Sequence, residues 1–355
     1  MADRTWTDEY IARIGAPDES ARERAFCVWN SIAKPIGGLG ELEEIVANIA
    51  SISGTEAVDI SKRALAVVCA DNGVLVQGVS QSDYSITTAM ADAITTGRAS
   101  VNKMAKVANI DIHVYDMGIK DKVPGPKDLS IANGTADMSQ GPVMSEVQMR
   151  DAIDKGVGIA EELVGKGYTL IATGEMGVGN TTTSSALSAV LLGMEPAITT
   201  GRGSGLGSEA LRHKISVIER CIDVNEPDPA DALGTLAKVG GFDIAAMVGI
   251  YLGAAINRVP VIVDGLVSSI AALVAKRAFP GCEYAMIGSH VSSEPAAKAI
   301  IAELGIKPVI DAGMHLGEGS GAVALIPLID MALAVYGANE TFDRIGIDAY
   351  EVNPE

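Results

Sequence analysis

The sequence predicts an α/β fold built on a doubly wound parallel sheet, and two features of the chain indicate it. Short runs rich in β-branched residues alternate with helical segments, which is the order expected of parallel strands joined by crossover helices. Most of these runs lead directly into a glycine-containing turn. The predicted strands are residues 64–70, 110–116, 168–173, 259–264 and 284–288. Because open parallel sheets bind ligands at the carboxyl ends of their strands, we expect a site at these turns.

Local signals place the helices and one long loop. Ser145 and Gln148 form a capping-box pattern, which predicts a helix that runs to Val164. Residues 122–142 contain three prolines and three glycines among polar residues, and are therefore predicted to be a loop.

The two ends of the chain are predicted to be helical. Residues 8–50 form a helical region that is interrupted at residues 34–40, and an apolar helix over residues 320–336 follows the last strand. We expect these segments to pack together. The predicted division is a large α/β domain over residues 59–309 and a smaller helical lobe made of residues 1–58 and 310–355.

Composition limits the possible partners of the chain. The 355 residues are 48% hydrophobic but only 4% aromatic, so the core must consist mainly of aliphatic side chains. The formal net charge of −18 argues against nucleic acid or an anionic membrane as a partner, since both bind clustered Lys and Arg. A phosphorylated substrate would need local backbone donors and one or two cations.

The cysteines, the histidines and the N-terminal residues give no sign of export or of metal binding. Cys27, Cys69, Cys221 and Cys282 are far apart, and we interpret them as reduced structural residues. His113, His213, His290 and His315 lack metal-ligand spacing, so no metal and no other cofactor is predicted. Residues 1–8 do not resemble a signal peptide, and no apolar stretch reaches about 18 residues, which favours a cytoplasmic protein.

A glycine-rich turn over residues 173–183 is the first candidate site. Backbone N–H groups in such a turn, together with the dipole of the following helix, can bind an anion. Residues 174–181 have P-loop spacing, but Asn180 stands where the lysine should be, which weakens a nucleotide-triphosphate hydrolase and leaves a monophosphate as the better ligand. The alternative is a strand-to-helix turn that simply requires small residues.

A second motif, LGEGSGA over residues 316–322, places Glu318 between two glycines before an apolar helix. The carboxylate could be a functional group approached closely by a ligand, or it could only stabilise the helix N-terminus. The helix terminus would lower the pKa of Glu318, whereas burial beside an apolar ligand would raise it.

A third glycine-rich segment, residues 200–207, leads into a helix that carries Lys214. A lone lysine on a helix is usually a solvated surface residue, so the motif points to function only together with the other two.

Taken together, the motifs resemble the nicotinate-nucleotide:dimethylbenzimidazole phosphoribosyltransferase family of cobamide biosynthesis. The resemblance covers about 290 residues, in the order expected of the family. Its segments are residues 34–43, 69–74, 114–118, 174–182, 238–243, 263–265, 288–290 and 316–322.

The resemblance implies a Rossmann-like α/β domain with a smaller helical lobe, acting as a dimer. It also implies transfer of the ribose phosphate of nicotinate mononucleotide to the lower-ligand base of a cobamide, with Glu318 as the general base. The nucleotide-binding residues are expected to be Glu175, Gly177, Gly179, Asn180, Gly201, Gly203, Lys214 and Ser289. The base-binding residues are expected to be Ser80, Ser82, Tyr84, Met90, Met314 and Leu316.

Two departures from the family pattern leave the base and the partner open. Asn72 stands where a histidine is common, and Met90 where a glutamine often contacts the base. A more apolar pocket would suit phenol or p-cresol, which we favour over 5,6-dimethylbenzimidazole. The partner chain could be identical or a paralogue. The competing hypothesis is a non-catalytic paralogous subunit, against which the presence of Glu318, Glu175 and Lys214 argues.

Overall fold

The fold is centred on one six-stranded parallel sheet. The structure, a computed structural model, describes residues 4–337 and 340–350. The strands are β1 (Arg63–Ala70), β2 (Asp111–Gly118), β3 (Lys127–Asp128), β4 (Leu170–Met176), β5 (Val261–Val263) and β6 (Met286–Gly288). Their order is β3-β2-β1-β4-β5-β6, and all neighbours are parallel. The predicted doubly wound sheet is confirmed, and the order reverses between β1 and β4, where such sheets form a ligand crevice.

The predicted strands occur, but their limits shift and one strand was missed. Residues 284–285 belong to a 3₁₀ helix rather than to β6. The prediction that residues 122–142 hold no element was wrong at β3, which pairs with β2 through Lys127 and Asp128. Two residues are too few to show strand periodicity, so no pattern in the sequence could indicate them.

Helices occupy most of the remaining chain. The capping box is confirmed: the Gln148 amide N–H donates to Ser145 Oγ at 3.2 Å, and the Ser145 N–H donates to Gln148 Oε1 at 2.9 Å. The α-helices are Arg4–Ile11, Glu19–Ser31, Glu41–Ser53, Tyr84–Thr95, Ser100–Ala108, Glu146–Gly165, Asn180–Leu192, Pro196–Thr199, Ser208–Asn225, Ala232–Val239, Phe242–Ile256, Leu266–Ala278, Ala297–Leu304, Ser320–Tyr336 and Phe342–Ile345. The 3₁₀ helices are Gly73–Gln77 and Cys282–Ala285.

Both faces of the sheet are buried. Along β1, Ala66 and Val68 belong to one hydrophobic cluster, while Leu65 and Val67 belong to a second cluster on the opposite face. This alternation follows from the two-residue period of a strand. Helices cover both faces, and the carboxyl ends of the strands are where a sheet of this kind binds its ligand.

The N-terminal helices and the last long helix share a hydrophobic cluster formed by Trp29, Val46 and Ala332. Helix Ser320–Tyr336 also packs on the sheet through Ala322 and Ile326. The division into a large domain and a helical lobe stays a prediction, and residues 1–3, 338–339 and 351–355 of that lobe lie outside the described residues. None of the described helices is long and apolar enough to cross a membrane.

Candidate active site

A cavity of about 1050 Å³ opens at the carboxyl ends of β4, β5 and β6. It brings together most of the residues that the sequence singled out, although they come from separate parts of the chain. The predicted residues that line it are Ser80, Ser82, Glu175, Gly177, Gly179, Asn180, Gly201, Gly203, Lys214, Met314, Leu316 and Glu318.

Three predicted residues lie outside this lining. The Tyr84 hydroxyl donates to the Asn72 carbonyl at 3.4 Å. Met90 packs, partly buried, against the second hydrophobic cluster. Ser289 is buried, and its hydroxyl donates to the Val263 carbonyl at 2.6 Å. These three side chains do not line the cavity, so its geometry gives no support to the binding roles predicted for them.

The backbone at Glu318 is strained and tightly packed. Gly317, Glu318 and Gly319 have φ values of 79°, 61° and 84°, and the left-handed region costs a non-glycine residue on the order of 1–3 kcal/mol. A Cβ added at Gly174, in β4, would lie 2.7 Å from the Glu318 carbonyl oxygen. Only glycine therefore allows this approach, and the surrounding structure holds Glu318 in an unfavourable conformation, as is common at functional sites.

The Glu318 side chain is buried in the cavity wall. Its Oε2 accepts a hydrogen bond from the Val101 N–H at 3.1 Å, and the residue is 6% exposed. Burial raises its pKa; the Val101 N–H lowers it, and the charge of Asp264 raises it further. Burial is the largest of these effects, and the opposing amide belongs to helix Ser100–Ala108 rather than to the helix that follows Glu318. A carboxylate with a raised pKa is a better proton acceptor than an exposed one.

Three polar side chains connect at the floor of the cavity. The Asn180 side-chain amide donates to Glu175 Oε2 and, at 3.1 Å, to Asp243 Oδ2. Burial and the neighbouring charge of Asp243 raise the pKa of Glu175 to about 8, while burial raises the pKa of Asp243 to about 6. Glu175 therefore carries its proton at neutral pH. The residue that replaces the P-loop lysine bridges two carboxyl groups.

The turn that leads to Asn180 is built for close backbone contact. A Cβ added at Gly177 would lie 2.3 Å from the Ala70 carbonyl oxygen at the end of β1. Gly179, with φ of 97°, is the N-cap of helix Asn180–Leu192. The turn thus needs small residues for packing, and it also presents a helix N-terminus, which favours anions, to the cavity.

Lys214 is buried rather than solvated. Its Nζ donates to Thr181 Oγ1 at 3.0 Å and to the Gly201 carbonyl at 3.3 Å, and the residue is 1% exposed. Burial lowers its pKa to about 8, and the charge of Glu294 opposes this change. A buried cation beside a helix N-terminus is the local arrangement expected for holding one phosphate.

Several residues that line the cavity or contact it were not expected from the sequence. Asp243 and Asp264 fall in segments that carried the family resemblance, but no chemistry was assigned to them. Ile86, on the helix of Met90, lines the cavity and is 41% exposed. In the sequence, only its position one helical turn before Met90 could have indicated that Ile86 lines the cavity. Within the described ranges, no group of three or more His, Cys, Asp or Glu side chains could hold a metal ion.

Comparison with known proteins gives consistent results. A family model described as Phosphoribosyltransferase matches residues 14–347. A nicotinate-nucleotide–dimethylbenzimidazole phosphoribosyltransferase of Acetivibrio thermocellus is 40% identical, covering 91% of this chain and 92% of its own length. The protein of the same name from Ruminiclostridium cellulolyticum is 41% identical, with the same coverage.

A solved structure shares the fold. The crystal structure of CobT from Thermus thermophilus superposes with a TM-score of 0.87 at 33% identity, covering 93% of this chain and 99% of that chain. The family resemblance predicted from the motifs is confirmed. The chain belongs to the nicotinate-nucleotide–dimethylbenzimidazole phosphoribosyltransferase family.

Proposed function

We propose that the chain transfers ribose 5-phosphate from nicotinate mononucleotide to 5,6-dimethylbenzimidazole, giving an α-riboside phosphate and nicotinate, with Glu318 as the general base. The observation that carries this proposal is a buried carboxylate with a raised pKa in a large cavity that also contains a buried lysine. The names of the relatives supply the two substrates.

The chemistry needs one proton acceptor and stabilisation of positive charge at the sugar. One ring nitrogen of the base attacks C1′, and the bond from C1′ to the nicotinate nitrogen breaks, with its electrons returning to the pyridine ring. The proton on the other ring nitrogen of the base passes to Glu318. The negative charge of Glu318 also favours an oxocarbenium-like transition state. Attack opposite the leaving group inverts C1′, from β to α.

The phosphate of the nucleotide is proposed to lie at Lys214 and the turn that ends in Asn180. Lys214 supplies a positive charge, and its Nζ donates to Thr181 in the first turn of helix Asn180–Leu192, where the helix dipole favours an anion. Because Glu175 is protonated at neutral pH, it does not repel the anionic substrate. This neutralisation removes one negative charge from the region proposed for the phosphate.

The acceptor base is proposed to lie against the apolar part of the wall, formed by Ile86, Met314 and Leu316, within reach of Glu318. Such a wall suits a flat aromatic ring. The preference for phenol or p-cresol depended on Met90, which packs, partly buried, against the second hydrophobic cluster and does not line the cavity. Dimethylbenzimidazole is therefore the better-supported acceptor.

A catalytic subunit is favoured over a non-catalytic paralogue because Glu318, Glu175 and Lys214 all line one cavity. Turnover by the purified chain, assayed alone and with any co-expressed homologue, distinguishes the two. Turnover by the chain alone supports the proposal. Turnover that requires an active homologue and survives loss of Glu318 contradicts it.

Replacement of the general base should abolish most of the activity. We expect Glu318→Gln to keep the fold and nucleotide affinity while lowering kcat by roughly 10²- to 10⁴-fold, the scale of losing a general base. Steady-state kinetics with calorimetry of nucleotide binding measures both. A variant with near-normal kcat would show that another group accepts the proton.

Nucleotide affinity should depend on pH in a defined direction. As the pH rises through about 8, Glu175 gains a negative charge and Lys214 loses its positive charge, so both changes weaken binding of an anion. We expect the calorimetric Kd for nicotinate mononucleotide to increase from neutral to alkaline pH. Glu175→Gln should reduce that increase, since only Lys214 then titrates. An affinity independent of pH in both proteins would place the anion elsewhere.

Base selection should depend on Ile86 and not on Met90. In competition between dimethylbenzimidazole and p-cresol, we expect Ile86→Gln to change the product ratio because a polar amide enters the cavity wall. Met90→Gln, one turn further along the same helix, is the matched control and should leave the ratio unchanged. If Met90→Gln shifted the ratio and Ile86→Gln did not, the proposed position of the base would be wrong.

A further inference from the structure

A second buried carboxylate, Asp264, lies beside Glu318 and takes no step in the proposed mechanism. We propose that Asp264 is a positioning residue: it anchors the first amides of helix Ser320–Tyr336 and thereby holds Glu318 in the cavity wall. This inference rests on the proposed function of Glu318 as the base.

Asp264 supplies the helix cap that the helix itself lacks. The N-cap residue is Gly319, which has no side chain to accept hydrogen bonds. Asp264, immediately after β5, accepts hydrogen bonds at Oδ1 from the Gly321 N–H at 2.7 Å and the Ala322 N–H at 2.9 Å. Two of the unpaired amides at the helix start are therefore satisfied from a neighbouring strand.

This anchor connects to Glu318 through one tight turn. The Ser320 N–H donates to the Gly317 carbonyl at 2.9 Å, so the turn includes Glu318. Gly174 of β4 packs against the Glu318 carbonyl, and Asp264, just after β5, binds the amides of Gly321 and Ala322. A strained left-handed residue persists only when its surroundings over-determine it, and removing one of two anchors should let it relax.

His290 reinforces the anchor. A Cβ added at Gly321 would lie 1.8 Å from His290 Nδ1, so the ring packs directly on the helix start. The ring is itself held by Ser289, whose Oγ lies 3.1 Å from Nδ1. Burial raises the pKa of Asp264, and the neighbouring His290 and the helix amides oppose this increase in part.

Asp264 also acts on Glu318 through its charge. A residue that served only as a helix cap would not have this effect. The groups that face Glu318 are Asp264, which follows β5, Glu175 in β4 and the Val101 N–H of helix Ser100–Ala108. The negative charge of Asp264 raises the pKa of Glu318. Asparagine at position 264 keeps an acceptor for the two amides but removes that charge.

The test compares kcat, KM and the pH dependence of kcat for wild type, Asp264→Asn and Asp264→Ala, with nicotinate mononucleotide and dimethylbenzimidazole as substrates. We expect Asp264→Asn to shift the acid limb of the pH profile, where kcat falls as Glu318 is protonated, to lower pH. The reason is that the pKa of Glu318 falls when the negative charge of Asp264 is removed. Ionisations of the substrates are common to all variants and cancel in the comparison. Asp264→Ala should lower kcat on the order of 10²-fold, the scale of misplacing a catalytic group by about 1 Å, with little change in KM for the nucleotide.

Asp231→Ala is the matched control for helix capping. Asp231 caps helix Ala232–Val239 by accepting from the Gly234 N–H at 2.9 Å, and it is exposed and outside the cavity. We expect this variant to lower the Tm without moving the acid limb or kcat of the folded protein.

The inference is overturned if folded Asp264→Ala keeps the kcat of wild type, or if the pH profile of Asp264→Asn superimposes on that of wild type. If Asp264→Ala does not fold, the pH profile of Asp264→Asn is the test of the inference. An inactive wild type, or a fully active Glu318→Gln, would overturn the proposed function and this inference with it. One result would reject only the role of Asp264: wild type is active, Glu318→Gln is inactive, and the pH profile of Asp264→Asn does not differ from that of wild type.

Discussion

The contact between Gly174 and the Glu318 backbone is the constraint on which the candidate active site depends. Gly174 lies near the carboxyl end of β4, a central strand, and the turn that contains Glu318 packs directly on it because position 174 has no side chain. The contact places the strained Glu318 at the carboxyl ends of the strands, where neighbouring strands supply other polar groups. The reversal of strand order between β1 and β4 explains why the crevice forms there.

Electrostatics then decides what the cavity can bind. The chain has a formal net charge of −18, and four carboxyl groups, those of Glu175, Asp243, Asp264 and Glu318, lie in or beside the cavity. Burial raises the pKa of each, and the pKa of Glu175 reaches about 8, so Glu175 is not a full negative charge at neutral pH. One buried lysine and one helix N-terminus can then hold a monophosphate in a strongly acidic protein.

Much of the fold and part of the site could be predicted from the sequence. Strand runs followed by glycine turns indicated the parallel sheet and its ligand-binding edge, and two glycines around Glu318 marked a close backbone approach. Lys214 could not be identified as buried, because its environment is created by Thr181 and Gly201 from other segments. The prediction that Met90 contacts the base lacks support from the cavity for a similar reason. Helix periodicity alone does not say whether Ile86 or Met90 faces the cavity, because that depends on contacts with other segments.

The most direct test of Glu318 as the general base is a crystal structure of the chain with dimethylbenzimidazole bound. We expect a ring nitrogen of the base to lie within hydrogen-bond distance of the Glu318 carboxylate, about 2.6–3.2 Å, with Glu318 still in its left-handed conformation. A base that occupies the cavity away from Glu318, or a carboxylate turned away from the bound ring, would contradict that role.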